Sequence, residues 1–227
     1  MSSVQQSLEL PPLQGKEYYD ENYRHYQLQN PAKKFSFYRK LIAQYSNAEL
    51  PLSIHDIGCA FGLFLQSLTA EWKKFGSDIN AYAIREAQRN DPNSYYLVNE
   101  ALSTPTLSEK VAVITAFDVL EHVGNLKKAA HLVHEQLLPG GTFLFVVPVY
   151  DGLSGPIISC LDKDPTHIHK RERAFWLDWA QKHFEVVHWQ GLIRYLFFSK
   201  FYLHLPVYGF LKWHAPAIAI VCKKKAL

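Results

Sequence analysis

The stretch Ile54-His55-Asp56-Ile57-Gly58-Cys59-Ala60-Phe61-Gly62-Leu63-Phe64-Leu65 constrains the fold more than any other part of this chain. A short apolar strand ends in an acidic residue, passes through a turn of small residues and opens directly into a helix. Such an arrangement presents unblocked backbone N–H groups and a helix N-terminus to a ligand. Twenty residues after Gly58 comes Asp78, at the end of Lys74-Phe75-Gly76-Ser77-Asp78, where a second strand should finish. A carboxylate there can accept hydrogen bonds from both hydroxyls of a ribose. The pattern predicts a nucleoside-binding α/β fold.

The rest of the chain alternates in the same way. Leu52–Ile57 reads as the first strand and Phe61–Trp72 as the helix after it. A helix over Ala81–Arg89 is closed by Asn90-Asp91-Pro92, and Tyr95–Val98 reads as a third strand. Val111–Ile114 is a continuous apolar strand, as expected where both faces are covered. A helix over Leu126–Leu137 leads through a Pro139-Gly140-Gly141 turn into a fifth strand, Thr142–Val147. This alternation calls for a parallel sheet with right-handed crossovers. Upstream, residues 1–16 read as a loose tail, and Phe35 to Tyr45 has helical spacing. Downstream, Arg173–His183 reads as a helix, with Phe184–Trp189 and Ala217–Cys222 as strands. Between those strands lies Leu192–Trp213, unusually rich in aromatic residues.

At 227 residues the chain is read as one domain. Residues 1–48 are an N-terminal helical segment, and 190–214 are an insertion between the last two strands. A net charge of +3 without a basic tract gives no expectation of nucleic acid. Cys59, Cys160 and Cys222 are odd in number and far apart, which suits reduced thiols. The N-terminus lacks a signal-peptide pattern and no uncharged stretch reaches a membrane span, so the expected location is cytoplasmic. No His/Cys/Asp cluster shows metal-ligand spacing in the sequence, and no metal is expected.

Four motifs occur in order: Asp56 to Gly62, then Asp78, then Phe117-Asp118-Val119-Leu120-Glu121-His122-Val123, then Leu137-Leu138-Pro139-Gly140-Gly141. Together they resemble the signature of the class I, Rossmann-like S-adenosylmethionine-dependent methyltransferases, closest to the type-11 and type-23 groups. The resemblance covers roughly residues 50–190. It implies a seven-stranded, mostly parallel sheet with helices on both faces and an antiparallel last strand. An NAD site is disfavoured, because Gly58, Ala60 and Leu63 stand where that fingerprint needs three glycines. Ala60 also departs from the methyltransferase pattern, which mostly has glycine there; it is tolerated provided its φ is negative.

The resemblance assigns roles by position. The Gly58–Gly62 backbone, with Cys59 and Ala60, passes under the methionine portion, and Asp56 holds its ammonium group. Asp78 takes the ribose hydroxyls and Ile79 lies against the adenine. Glu100 and Ala101 match the acidic-small pair that meets the adenine edge, and Ala116 and Phe117 border the methyl-bearing sulfur. His122 and His167 are the candidate bases for a hydroxyl acceptor, which must lose its proton near the transition state. Structural roles for both, at a helix start and within a loop, stand beside the catalytic ones.

Two nucleic-acid chemistries are argued against. Ala116-Phe117-Asp118-Val119 lacks the Pro-Pro-aromatic motif of base amino methylation, and Val147-Pro148-Val149 lacks a cysteine nucleophile. The expectation is O-methylation of a hydroxylated, apolar small molecule by a monomer or homodimer. N- or C-methylation and a non-catalytic S-adenosylmethionine-binding regulator are the alternatives. The tyrosines Tyr18, Tyr19, Tyr23 and Tyr26 suit either a lid over the cofactor or a surface helix. The 192–213 segment suits sheet packing, an apolar acceptor pocket, a dimer contact or transient docking on a membrane surface.

Overall fold

The computed structural model describes residues 26–99, 102, 107–152, 155–162, 164, 166–197 and 201–225. Two helices, α1 (Tyr26–Gln29) and α2 (Ala32–Tyr45), precede the sheet. β1 (Ser53–Ile57), α3 (Leu63–Gln66), β2 (Lys73–Asp78), α4 (Ala81–Asn90) and β3 (Tyr95–Val98) follow. Next come β4 (Val111–Phe117), a 3₁₀ turn at Leu120–His122, α5 (Leu126–Gln136) and β5 (Leu137–Pro148). The last part holds α6 (Gly155–Leu161), α7 (Arg173–His183), β6 (Glu185–Phe197), β7 (Phe201–Val207), a 3₁₀ stretch at Gly209–His214 and β8 (Ala217–Lys223).

Among the described residues eight strands form one sheet, in the order β3-β2-β1-β4-β5-β8-β6-β7. β1 to β5 run parallel, with Asp56 beside Gly76 on one side and Thr115 on the other. β8 inserts antiparallel between β5 and β6, and β7 pairs antiparallel with the far end of β6. The central strands show why the sheet is buried on both faces. Phe143, Phe145 and Val147 of β5 pack with residues of α5 and α7, while Leu144 and Val146 pack with residues of α2, α3 and α4. Burying each such side chain is worth about 1.5–3 kcal/mol. One buried polar residue is fully paired: His55 bonds Gln136 and Ser77, each at 2.9 Å, and burial lowers its imidazole to about 4. It is therefore neutral near pH 7.

Three expectations change. The sheet has eight strands instead of seven, because part of the aromatic segment 192–213 forms the added edge strand β7. His204 of β7 lies 5.5 Å from both Phe37 and Tyr38, which fixes the strand against α2. Pro206 is accommodated because β7 is an edge strand and its missing N–H strands no central ladder partner. The helix expected over Phe61–Trp72 is only α3. The Ser67 hydroxyl donates to the Phe64 carbonyl at 2.6 Å, and the Ser67 N–H is shared between the Leu63 and Phe64 carbonyls. That tightens the last turn and ends the helix. Finally, Pro139-Gly140-Gly141 lies within β5 as an irregularity: Val111 pairs with Leu137, whereas Val113 pairs with Thr142. No helix among the described residues is long and apolar enough to cross a membrane.

Tyr38 pins α2 to the sheet. Its ring is fully buried and stacks on Phe117 at 4.2 Å, yet its hydroxyl has no hydrogen-bond partner among the described residues. Burying an unpaired hydroxyl carries a desolvation cost that phenylalanine avoids while keeping the stack. Tyr38→Phe should therefore stabilise the protein by about 1 kcal/mol, raising Tm by about 2–4 °C. A lower Tm in a thermal melt would show that the hydroxyl is satisfied after all.

Candidate active site

From β1 the chain runs outward to β2 and β3, then returns to the other side of β1 as β4. Loops at such a reversal diverge above the carboxyl ends of the strands and leave a crevice. A cavity of about 640 Å³ opens there. Asp56, Gly58, Cys59 and Ala60 line one wall, Asp78, Ile79 and Asn80 the next, and Phe117, Asp118, Val119 and His122 the third. Tyr26, Gln29 and Asn30 of the α1 region, with Lys34 and Phe35 of α2, form the cover, and Thr166 joins the His122 side.

The turn after β1 is held from below. The Gly58 and Cys59 N–H groups both donate to the Ser77 carbonyl, at 2.7 and 3.0 Å, and the Gly62 N–H donates to the Cys59 carbonyl at 2.9 Å. The Ala60 N–H donates to Asp78 Oδ2 at 2.9 Å. These amides are spent inside the protein, which corrects the expectation that they would stand open to a ligand. Gly58 has φ +71° and a Cβ there would fall 2.3 Å from Val119 Cγ2, so neither the conformation nor the space admits a side chain. Ala60 has φ +48°, contrary to the negative value its tolerance was argued from. The bond to Asp78 holds this alanine in the left-handed region.

Asp78 serves two neighbours: besides Ala60, its Oδ1 accepts from the Asn80 N–H at 2.8 Å. Burial raises its carboxyl, and the Asn80, Ala60 and Ile79 amides limit the rise. Asn80 in turn caps α4, its Oδ1 accepting from the Ala83 N–H at 3.0 Å. Asp56 accepts from the Thr115 hydroxyl at 2.6 Å across the β1–β4 pair. Burial pushes the Asp56 carboxyl up to about 7, against the downward pull of that hydrogen bond. Cys59 is buried, and desolvation raises its thiol far above the ordinary range, so it is inert as a nucleophile.

The third wall carries charge. Asp118, at φ +58°, accepts from Arg194 of β6 at 2.5 Å. Burial acts upward on Asp118, but the Arg194 charge and hydrogen bond with Lys34 hold it below the usual carboxylate range. Desolvation lowers the Lys34 ammonium to about 8. His122 donates through Nδ1 to the Thr166 carbonyl at 3.0 Å, so its Nε2 carries the lone pair. Burial, then the neighbouring His167, lowers its imidazole and keeps it neutral near pH 7.

The cavity thus brings together Asp56, Gly58, Cys59, Ala60, Asp78, Ile79, Phe117 and His122 of the residues singled out in the sequence. Gly62 and Ala116 stand behind that wall: Gly62 packs against Tyr96, and Ala116 is fully buried in β4. His167 is not on the wall; its ring lies 4.6 Å from that of His122, and its Nδ1 is 2.8 Å from Asp162 Oδ2. Glu100 and Ala101 lie outside the described residues, as do Tyr18, Tyr19 and Tyr23. Sequence reasoning missed Lys34, Asn80, Asp118 and Arg194 as site residues. Asp118 was within a quoted motif; Lys34 and Arg194 offered no local signal, since only the folded chain carries Lys34 to the cavity wall and Arg194 to Asp118.

Residues 23–196 match the model of a family described as a methyltransferase domain. No curated protein matches the sequence. Among solved structures, an S-adenosylmethionine-dependent methyltransferase of Thermotoga maritima superposes with a TM-score of 0.67 at 13% identity, covering 92% of this chain and 97% of its own. The methyltransferase of Haloferax volcanii solved with its Trm112 activator gives the same values, a TM-score of 0.67, 13% identity, and 92% and 97% coverage. The N-methyltransferase NodS of Bradyrhizobium japonicum aligns with a TM-score of 0.57 at 14% identity, over 91% and 97% of the two chains. At such identities the likeness is one of fold.

The strain at Ala60 can be tested directly. Left-handed backbone costs a residue with a Cβ about 1–2 kcal/mol, and glycine returns part of that gain as unfolded-chain entropy. Ala60→Gly should stabilise the protein by about 0.5–1 kcal/mol in urea denaturation at unchanged m-value.

Proposed function

We propose that this chain, which belongs to the methyltransferase-domain family matched by residues 23–196, methylates a hydroxyl group of a small molecule. The methyl donor is S-adenosylmethionine, and the fold is that of the class I, Rossmann-like enzymes. The observation that carries the reading is the meeting of two carboxylates and a neutral imidazole on one cavity: Asp56 and Asp78 at the ends of adjacent strands, and His122 across from them.

The residues fit the donor. Each Asp78 oxygen accepts one amide and keeps a further lone pair for a ribose hydroxyl. Asp56, once ionised, attracts the ammonium group, and Ile79, with 38% of its surface exposed, offers an apolar face to adenine. Glu100 and Ala101 retain the adenine role implied by the family pattern. The turn through Cys59 and Ala60 supports the methionine portion, with Gly58 and Gly62 shaping it, and Phe117, backed by Ala116, borders the reacting sulfur. A volume of about 640 Å³ falls in the range of about 300–1,000 Å³ usual for small-molecule sites.

The donor supplies a methyl group on a sulfonium, so the chain's own work is orientation, exclusion of water and handling of one proton. A hydroxyl acceptor must lose its proton near the transition state, and the Nε2 lone pair of His122 is the candidate to receive it. His167 acts behind it as a positioning residue. Nitrogen methylation is the second reading; a neutral amine already has a lone pair and leaves His122 less to do. A lid role for the N-terminal segment is supported by Tyr26, Gln29 and Asn30 on the cavity wall. Tyr208, Phe210, Leu211 and Trp213 stay exposed. They are the part of the aromatic segment left for contact with an apolar acceptor, a membrane surface or a second copy. Three free cysteines suit a cytoplasmic setting.

Two measurements test the donor half. Asp78→Ala should weaken S-adenosylmethionine binding by about 1–3 kcal/mol in calorimetric titration, the cost of leaving buried polar groups unpaired. An unchanged affinity would remove Asp78 from the site. The second is pH. Asp56 in the free protein is protonated below about 7 and attracts a cation only above it. Affinity should therefore climb as pH rises from roughly 6 to roughly 8, and Asp56→Asn should flatten that rise. Folding stability runs oppositely: the protonated carboxyl suits the buried site, so stability declines between the unfolded value of about 4 and the folded value of about 7.

A further inference from the structure

We propose that Glu121, His122 and His167 form a binding site for one divalent transition-metal cation at the acceptor end of the cavity. One ligand atom from each residue lies within 4.8 Å of the others. A small rotation of these side chains closes them on an ion whose bonds are about 2.0–2.2 Å long.

The hydrogen bonds around the cluster explain why a cation belongs there. The Thr166 carbonyl can only accept, so His122 carries its proton on Nδ1 and its lone pair on Nε2. The Asp162 carboxylate likewise accepts from Nδ1 of His167, at 2.8 Å, and Tyr150 donates to the same carboxylate. Nδ1 of each ring is thus engaged, by Thr166 in one case and by the Asp162 carboxylate in the other, which leaves Nε2 for another partner; Asp164 Oδ2 lies 3.8 Å from Nε2 of His167, beyond hydrogen-bond distance. That is how ligating imidazoles are oriented in metal sites. Glu121 is 1% exposed, and neither of its carboxylate oxygens has a hydrogen-bond partner among the described residues. Buried carboxylates are paired almost without exception. Three groups able to accept thus converge, and a cation complements them.

Two imidazoles and one carboxylate suit Zn²⁺, Co²⁺ or Fe²⁺ better than the all-oxygen preference of Mg²⁺ or Ca²⁺. Three protein ligands leave at least one position open, as in catalytic sites rather than structural ones. Because His122 and Thr166 line the cavity, the open position faces the acceptor. This consequence rests on the hydroxyl reading above: an acceptor oxygen on the ion would become more acidic and release its proton to water, keeping the lone pair that bonds the methyl carbon while the S–CH3 bond breaks and its electron pair stays on sulfur. The His122 Nε2 then serves the ion instead of the proton. The sequence concealed the set because His167 comes from a distant loop.

Chelator-stripped full-length protein should be titrated separately with Zn²⁺ and Co²⁺ by calorimetry, with the visible absorption of Co²⁺ as a second readout. Saturation at one ion per chain is expected, with an intense absorption band of low-coordinate Co²⁺. His167→Ala and Glu121→Gln should each weaken binding at least tenfold, and Asp162→Asn, which touches no ion, should weaken it by about 10–100-fold. His167 is partly exposed, so His167→Ala keeps the test usable if the Glu121 variant fails to fold. No saturable binding, or binding of equal strength in all the variants, would overturn the site and leave Glu121 a buried protonated acid. Stoichiometric ion binding with methylation confined to amines would uphold the site and discard the hydroxyl reading. S-adenosylmethionine binding, measured without metal, reports separately on the donor half.

Discussion

The Asp78 carboxylate is the fixed point of this molecule. One oxygen holds the Ala60 N–H and with it the left-handed turn after β1; the other holds the Asn80 N–H, whose own side chain caps α4. A strand end, a strained turn and a helix start are thereby locked to a single planar group. Each hydrogen bond to a charged acceptor contributes about 1.5–3 kcal/mol, enough together to hold the alanine where an isolated peptide would not stay. This wall of the cavity is then an outcome of local folding.

Charge is distributed unevenly over the rest of the cavity. The Arg194–Asp118 pair joins the late strand β6 to the end of β4, and Lys34 approaches from α2. Among the described residues, Asp118 keeps one buried oxygen unpaired, and Glu121 keeps two. The side of Asp118 and Glu121 therefore carries more unspent acceptor capacity than the side of Asp56 and Asp78, which are at least partly engaged.

Much of the fold was legible because parallel sheets write themselves into sequence as short apolar runs punctuated by acidic and glycine residues. The β1 and β2 termini, α4 and α7 follow the expected spans closely, since caps and apolar spacing are local properties. Most of what escaped notice was non-local. β7 was hidden within aromatic residues that suit packing, lids and interfaces equally well, and only pairing with β6 decides among them. The early end of α3 depends on one serine bonding its own backbone. Ala60 was argued from its small size, whereas its conformation is dictated by Asp78, eighteen positions away. His167 was noticed as a residue but not as a neighbour of Glu121, because proximity across a loop leaves no periodic trace.

The placement of Pro206 bears on how the protein behaves at high concentration. β7 is an outer strand whose sequence, Phe201-Tyr202-Leu203-His204-Leu205-Pro206-Val207, carries no formal charge at neutral pH. An uncharged apolar rim of this kind invites another chain to dock in register and begin a fibril. The proline ring removes one donor from that rim and breaks its continuity. At the opposite rim β3 is only four residues long. One margin is protected by chemistry and the other by brevity, so the sheet can keep an unusually apolar border without acting as a template for its own aggregation.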